Sequence, residues 1–184
     1  MVLPLKSGRL KTRILGIDPG SLVTGYGIID SDGTYSVYVA SKPLRVRAET
    51  LPQRLKLIFE GVTAVIQEHQ PEVVAIEKVF MNRNADSALK LGQARGAAIV
   101  AAVMQGLPIS EYTPRHVKQA VVGKGNASKE QVQHMVGVLL NYQGSLQSDE
   151  ADALAVALSH GHIGGTLGRI TEFSRPTAYK RRRR

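Results

Sequence analysis

The nineteen residues TRILGIDPGSLVTGYGIID, 12–30, decide the reading of this chain. TRILGID (12–18) is a short apolar run that ends on an acid, and Pro19-Gly20 follows as a turn. That is the pattern of a buried strand opening onto a loop. VTGYGIID (23–30) reads as a second strand, and Asp32-Gly33 is a hairpin signal leading into a third, TYSVYVAS. The chain therefore opens as an antiparallel meander whose first strand delivers Asp18 to its end.

Working outward, Leu51, Leu55, Ile58, Phe59, Val62, Val65 and Ile66 recur at helical spacing. EVVAIE (72–77) is another short apolar run closing on an acid, Glu77, and the polar loop MNRN follows soon after it. Residues 85–105 read as an Ala-rich helix. Gly92 and Gly96 within it cost about 1 kcal/mol each relative to Ala, a cost that close packing on a neighbour would offset. PISEY (108–112) is the fifth strand. Thr113-Pro114 starts a short helix, and Ser128 with Gln131 has capping-box spacing for a helix to about Leu140. Ser148 is read as the cap of a last helix over 149–160. The expected fold is α/β, a mixed five-stranded sheet flanked by helices. The expected division is an extension (1–11), one domain (12–163) and a basic, flexible tail (164–184).

Net charge is +9, and the final KRRRR carries five of those charges, so the rest of the chain is basic as well. A polyanionic partner fits that balance, although many proteins are basic for solubility alone. With no cysteine there is no disulfide, thiolate metal site or cysteine nucleophile. No stretch nears ~18 uninterrupted apolar residues and the N-terminus has no signal-peptide core, so the expectation is a cytoplasmic protein with no membrane contact. No GxSxG elbow, phosphate-binding Walker loop or HExxH motif is present.

The chemistry rests on four acids. Asp18 and Glu77 each close an apolar strand, and neighbouring strands would set them side by side at one sheet edge. Asp149 and Asp152 are spaced i, i+3 at the start of a helix, DEADALAVAL, that is apolar almost all round and must be buried. First-turn acids ordinarily complement a helix dipole, and an Asp before Pro-Gly is ordinarily a turn residue. Their joint placement is what the ordinary readings leave unexplained. Gathered carboxylates repel and resist ionisation unless a cation joins them. Oxygen donors without thiolates favour Mg²⁺ or Mn²⁺ over Zn²⁺. His69, His116, His134, His160 and His162 are read as surface or helix-end residues.

GIDPGSLVTGYGII, AIEKVFMNRNADSALKLGQARG and VKQAVVGKGNASKEQVQHM, followed by DEADALAVA, closely resemble the bacterial RuvC family of Holliday junction resolvases. The likeness runs from about Ile14 to His162. It implies a ribonuclease H-like fold and a structure-selective endonuclease that nicks four-way junction DNA symmetrically, in recombination and repair. It places the family's metal ligands at Asp18, Glu77, Asp149 and Asp152, with two Mg²⁺ per site and 5′-phosphate products. It further implies that Phe80 is an aromatic wedge stacking on a junction base, that Lys118 and Lys129 lie near the scissile phosphate, and that the RuvA–RuvB branch-migration complex is the partner. Two symmetric cuts need two sites related by a two-fold axis, hence a homodimer. Spacing alone makes Lys118 and Lys129 a solvated helix face. Arg83 and Asn84 lie in the loop placed to read sequence, and helix 85–105 is the expected dimer interface. The chain departs from the pattern in about ten extra N-terminal residues, in Lys78 where a neutral amide is common, and in the KRRRR end. Two other classes share some of these features. One is the ATP-handling actin/Hsp70/sugar-kinase class, whose phosphate loops resemble DPGSLVTGYG but need two domains. The other is a junction binder without nuclease activity.

Overall fold

The structure, a computed structural model, describes residues 10–80 and 84–173, with the backbone alone for 163–173. β1 (Thr12–Asp18), β2 (Val23–Ser31) and β3 (Ser36–Arg45) form the meander. α1 (Leu51–His69), β4 (Val73–Glu77), α2 (Ala85–Met104) and β5 (Ile109–Tyr112) follow. α3 (Pro114–Val122), α4 (Lys129–Leu139) and α5 (Ser148–Phe173) complete the described chain. The sheet order is β3-β2-β1-β4-β5, with β1 antiparallel to β2 but parallel to β4, and β4 parallel to β5. This is the mixed five-stranded α/β sheet that the sequence predicts.

The period of two along each strand builds two cores. Leu15, Ile17, Val74 and Ile76 face α1 and α2, while Ile14, Val73 and Ala75 face α3, α4 and α5. The helix starts follow local chemistry. Thr113 accepts from the His116 N–H at 3.1 Å ahead of Pro114. Ser128 and Gln131 exchange both capping-box bonds, Ser128 N–H donating to Gln131 Oε1 at 2.9 Å and Gln131 N–H to Ser128 Oγ at 3.3 Å.

α5 lies directly across β1 and β2, and glycine is the reason. A Cβ at Gly16 would overlap the Ala153 carbonyl oxygen and come 2.7 Å from Ala157 N. One at Gly25 would overlap the Asp149 carbonyl oxygen, and one at Gly27 would come 2.6 Å from Leu154 Cγ. The stretch that decides the fold thus carries a bare strip on which the helix backbone seats, with Ala151, Ala153, Leu154, Ala155, Val156 and Ala157 all buried.

Four expectations change. Gly92 and Gly96 face open space, with no atom within 4 Å of the place a methyl group would take, so packing inside the chain does not offset their cost. Ser148 is the first helical residue rather than the cap, and the Glu150 carboxylate closes that turn by accepting from Gln147 N–H at 2.8 Å. α5 runs on to Phe173 because no proline interrupts the backbone before Pro176, so the expected tail starts within a helix. His160 is half-buried, with Nδ1 2.7 Å from the Tyr112 hydroxyl, because the extended helix keeps it against β5 instead of at a helix end. The 1–9 part of the extension and the KRRRR end lie outside the described residues.

Candidate active site

β1 and β4 are parallel neighbours in the register Ile17↔Ile76, so the next residues, Asp18 and Glu77, end the two strands side by side. Ile17 and Ile76 point into the core under α1 and α2, so by alternation Asp18 and Glu77 point to the face covered by α5. The seating of α5 on Gly25 and Gly16 brings its first turns to the same place. Asp18, Glu77 and Asp152 line one cleft of about 320 Å³ with Pro114, Val117, Lys118, Lys129, Val132 and Ala155. Asp149 does not line it, but its charge acts on both Asp18 and Lys129.

The electrostatics follow from that crowding. Burial first, then repulsion from Glu77, Asp152 and Asp149, pushes the Asp18 carboxyl up to about 7, with Lys129 opposing. Burial, then Asp152, likewise pushes Glu77 up to about 7, with Lys118 and Lys129 opposing. Lys129 Nζ lies 2.7 Å from Asp152 Oδ2, and that bond raises the ammonium pKa. The solvated-face reading of Lys118 and Lys129 therefore gives way: α3 and α4 turn both toward the carboxylates.

As they stand, no three acid or imidazole groups among the described residues form a ready-made ion cage. The donor chemistry nonetheless fits a divalent ion. The cleft holds hard carboxylate oxygens, and the raised Asp18 and Glu77 carboxyls give up their protons more readily once a cation compensates them.

A second, more open depression of about 580 Å³ shares Asp18 and Glu77 and continues along Val79, Phe80, Asn84, Ser87, Leu91 and Pro114. Phe80 is exposed there, at 59%. Asn84 caps α2, its Oδ1 accepting from Ser87 N–H at 3.2 Å, so its oxygen has a structural duty beside any contact with DNA. Arg83 lies outside the described residues. A depression of about 620 Å³, lined by residues such as Glu130, His134 and Tyr142, contains none of the four acids. Size alone would have misplaced the site.

Arg95 on α2 has no sequence signal that marks it. Its Nε donates to the Glu77 carbonyl at 3.1 Å and its guanidinium pairs with Glu111 on β5. The strand end that carries Glu77 is thereby tied to the helix beside it.

A ribonuclease H-like sheet, with acids brought together at the ends of two central strands and at the start of the helix lying across them, defines an acid-cluster nuclease. The family model described as crossover junction endodeoxyribonuclease RuvC matches residues 14–160. The chain belongs to the RuvC family. It is 59% identical over 155 residues to the crossover junction endodeoxyribonuclease RuvC of Dichelobacter nodosus, covering 84% of this chain and 88% of that protein. It is 57% identical over 159 residues to that of Klebsiella pneumoniae (strain 342), covering 86% and 92%. T. thermophilus RuvC in complex with Holliday junction substrate superposes with a TM-score of 0.79 at 35% identity, covering 84% of this chain and 96% of that one. The yeast mitochondrial Holliday junction resolvase Ydc2, at 12% identity and a TM-score of 0.65, shares the fold.

Proposed function

We propose that this chain is a structure-selective endonuclease that resolves Holliday junctions by paired symmetric nicks, with residues 12–163 as its nuclease domain. The observation that carries the reading is the meeting of Asp18 and Glu77, each pushed up to about 7, with Asp152 in one cleft of a chain that matches the RuvC family.

Asp18, on the central strand and acted on by Glu77, Asp152 and Asp149, would be the acid shared by the bound ions. Glu77, Asp149 and Asp152 complete the donor set. Two divalent ions of the Mg²⁺ type, for which Mn²⁺ would substitute, supply an activated water and neutralise the leaving 3′ oxygen when bound. Lys118 and Lys129 set positive charge against the phosphate as it becomes five-coordinate. Lys129 pairs with Asp152 here, and with Asp152 engaged by an ion its ammonium would be available to the substrate. Phe80, exposed on the rim of the open depression, is the group that stacks on an unpaired base at the branch point. Asn84, which lines the same depression, is the group that contacts the bases beside the cut, and the sequence assigns Arg83 to the same task.

Two nicks at symmetric positions require two sites related by a two-fold axis. α2 supports such a pairing. Leu89, Val100, Val103 and Met104 are exposed on it, and Gly92 and Gly96 leave room for a second helix to approach. The RuvA–RuvB motor is the protein partner in this reading. No helix among the described residues is long and apolar enough to cross a membrane.

The test is incubation of a labelled mobile four-way junction, with and without Mg²⁺, beside linear duplex and beside the Asp18→Asn protein. The expected result is metal-dependent paired cutting of the junction alone, with Asp18→Asn binding but not cutting. Equal cutting of linear duplex rejects the selectivity. ATP hydrolysis without DNA cleavage rejects the nuclease reading in favour of the actin/Hsp70 class.

A further inference from the structure

Outside the cleft, the strongest unassigned charge near the site lies where β3 ends. The segment Leu44-Arg45-Val46-Arg47 is extended, and Val46 N–H donates to the Leu22 carbonyl at 2.9 Å, so it continues the sheet past the β1–β2 turn. Leu44 and Val46 turn into the core under α1, with Val46 only 5% exposed. Arg45 alternates with them and therefore faces the other way, onto the face shared by Asp18 and Glu77, and the exposed Arg47 follows just past the end of the strand. They also stand at the same end of the sheet. Arg45 pairs in register with Val23, and Gly25, two residues along, lies under the Asp149 carbonyl. Arg45 Nη2 reaches Gln147 Oε1 at 3.5 Å, just ahead of α5.

Both arginines are exposed, and among the described residues neither meets a carboxylate at ion-pair distance. Glu150, the nearest acid in sequence to Gln147 that faces β3, is engaged by Ser41 Oγ at 3.2 Å and Gln147 N–H at 2.8 Å. Lys118 is on α3, directly after β5, whereas Arg45 ends β3 at the opposite edge of the sheet. β3 lies two strand spacings from β1 and three from β4, or about 10 to 14 Å. Backbone phosphates within a few nucleotides of the cut fall in that range.

We propose that Arg45 and Arg47 form a second phosphate-contact site, which holds the backbone of the junction arm a few nucleotides from the scissile phosphate. The site rests on the resolvase reading and deepens it. The cleft lysines serve the phosphate being cut, while this pair fixes the direction in which the duplex leaves the acids. Backbone contacts of this kind position the substrate without reading its sequence. The occupant is a nucleic-acid backbone because the pair is doubly positive and solvent-facing, with Arg45 on the same sheet face and end as the acid-lined cleft.

The test is junction binding in EDTA, so that nothing is cut, by fluorescence anisotropy from 50 to 200 mM NaCl. Wild type, R45Q/R47Q, R45K/R47K and K56Q are compared; Lys56 is exposed on α1 and pairs there with Glu60. The R45Q/R47Q protein is expected to bind about tenfold more weakly, with the slope of log affinity against log salt shallower by about 2. R45K/R47K recovers most of that slope, and K56Q retains the wild-type value. A scan of single uncharged methylphosphonates on the junction adds a readout on wild-type protein, so misfolding of a variant does not decide the matter. Wild type should lose affinity when the neutral linkage sits at particular positions within a few nucleotides of the cut, a loss that R45Q/R47Q should not show. An unchanged salt slope, an equal fall with K56Q, or a scan with no loss at those positions overturns the proposal. Wild-type protein that binds no junction at any salt overturns the resolvase reading as well, and so is told apart from failure of this pair alone.

Discussion

Lys129 Nζ lies 2.7 Å from Asp152 Oδ2, which makes a single ammonium both the partner of a candidate metal ligand and a candidate for contact with the scissile phosphate. The two duties separate on mutation. Lys129→Met removes the competitor for Asp152, so affinity for Mn²⁺ should rise by about 2- to 5-fold, in line with a half-exposed ion pair. The single-turnover cutting rate should fall by about 10²- to 10³-fold as transition-state charge loses its partner. Calorimetric titration with Mn²⁺ beside rapid-quench cleavage measures both. Weaker ion binding in the variant would show that the lysine organises Asp152 rather than competing for it.

The raised carboxylates predict how stability depends on pH. Asp18 and Glu77 are pushed up to about 7, from ordinary values of 3.8 and 4.5. Between about pH 4 and 7 the folded chain therefore keeps protons that the unfolded chain has released. Stability falls as pH rises through that window and levels off above it. Asp18→Asn removes one such group and the repulsion it exerts on Glu77. In EDTA at pH 8 the variant should be more stable than wild type by on the order of 1–2 kcal/mol, with the gain fading toward pH 4. Mg²⁺ should stabilise wild type and leave the variant nearly unchanged. Thermal melts at the two pH values check this, and a variant less stable at pH 8 in EDTA refutes it.

Two kinds of glycine should respond in opposite ways. Gly16→Ala drives a methyl into the Ala153 carbonyl and within 2.7 Å of Ala157 N, backbone atoms that cannot rotate away. It should cost about 2–4 kcal/mol and weaken Mg²⁺ binding, since α5 must lift and take Asp149 and Asp152 with it. Gly137→Ala, on α4 and away from the proposed dimer face, meets open space and should gain up to about 1 kcal/mol of helix stability. Denaturant melts of the two variants test the contrast. Equal effects would mean that α5 does not seat on the strand as described.

Arg95 donates through Nε to the Glu77 carbonyl at 3.1 Å while pairing with Glu111, and so acts as a positioning residue for the end of β4. Arg95→Met should lower the cutting rate by about 10-fold, the cost of about 1–2 kcal/mol for losing a charged donor. It should also raise the Mg²⁺ concentration needed for half-maximal rate, with junction affinity unchanged. Arg95→Lys, a point charge without the fork, should recover only part of the loss. Metal-titration curves that overlay wild type would reduce Arg95 to a surface ion pair.

Much of this protein was legible in its residues alone. Apolar runs with a period of two, turn signals such as Pro19-Gly20 and Asp32-Gly33, and the Ser128–Gln131 box are local features, and local backbone preference placed the strands and most of the helix starts. The family motifs named the acids because their order along the chain carries that information. Other features were decided only by the three-dimensional arrangement. Gly16, Gly25 and Gly27 look like weak strand residues until α5 lies on them, and Arg95 looks like a surface charge until β4 ends beneath it. The lysines of α3 and α4 look solvated until both helices turn them onto Glu77 and Asp152. Contact, burial and the pKa of a carboxylate depend on distances between residues remote along the chain, and packing sets those distances.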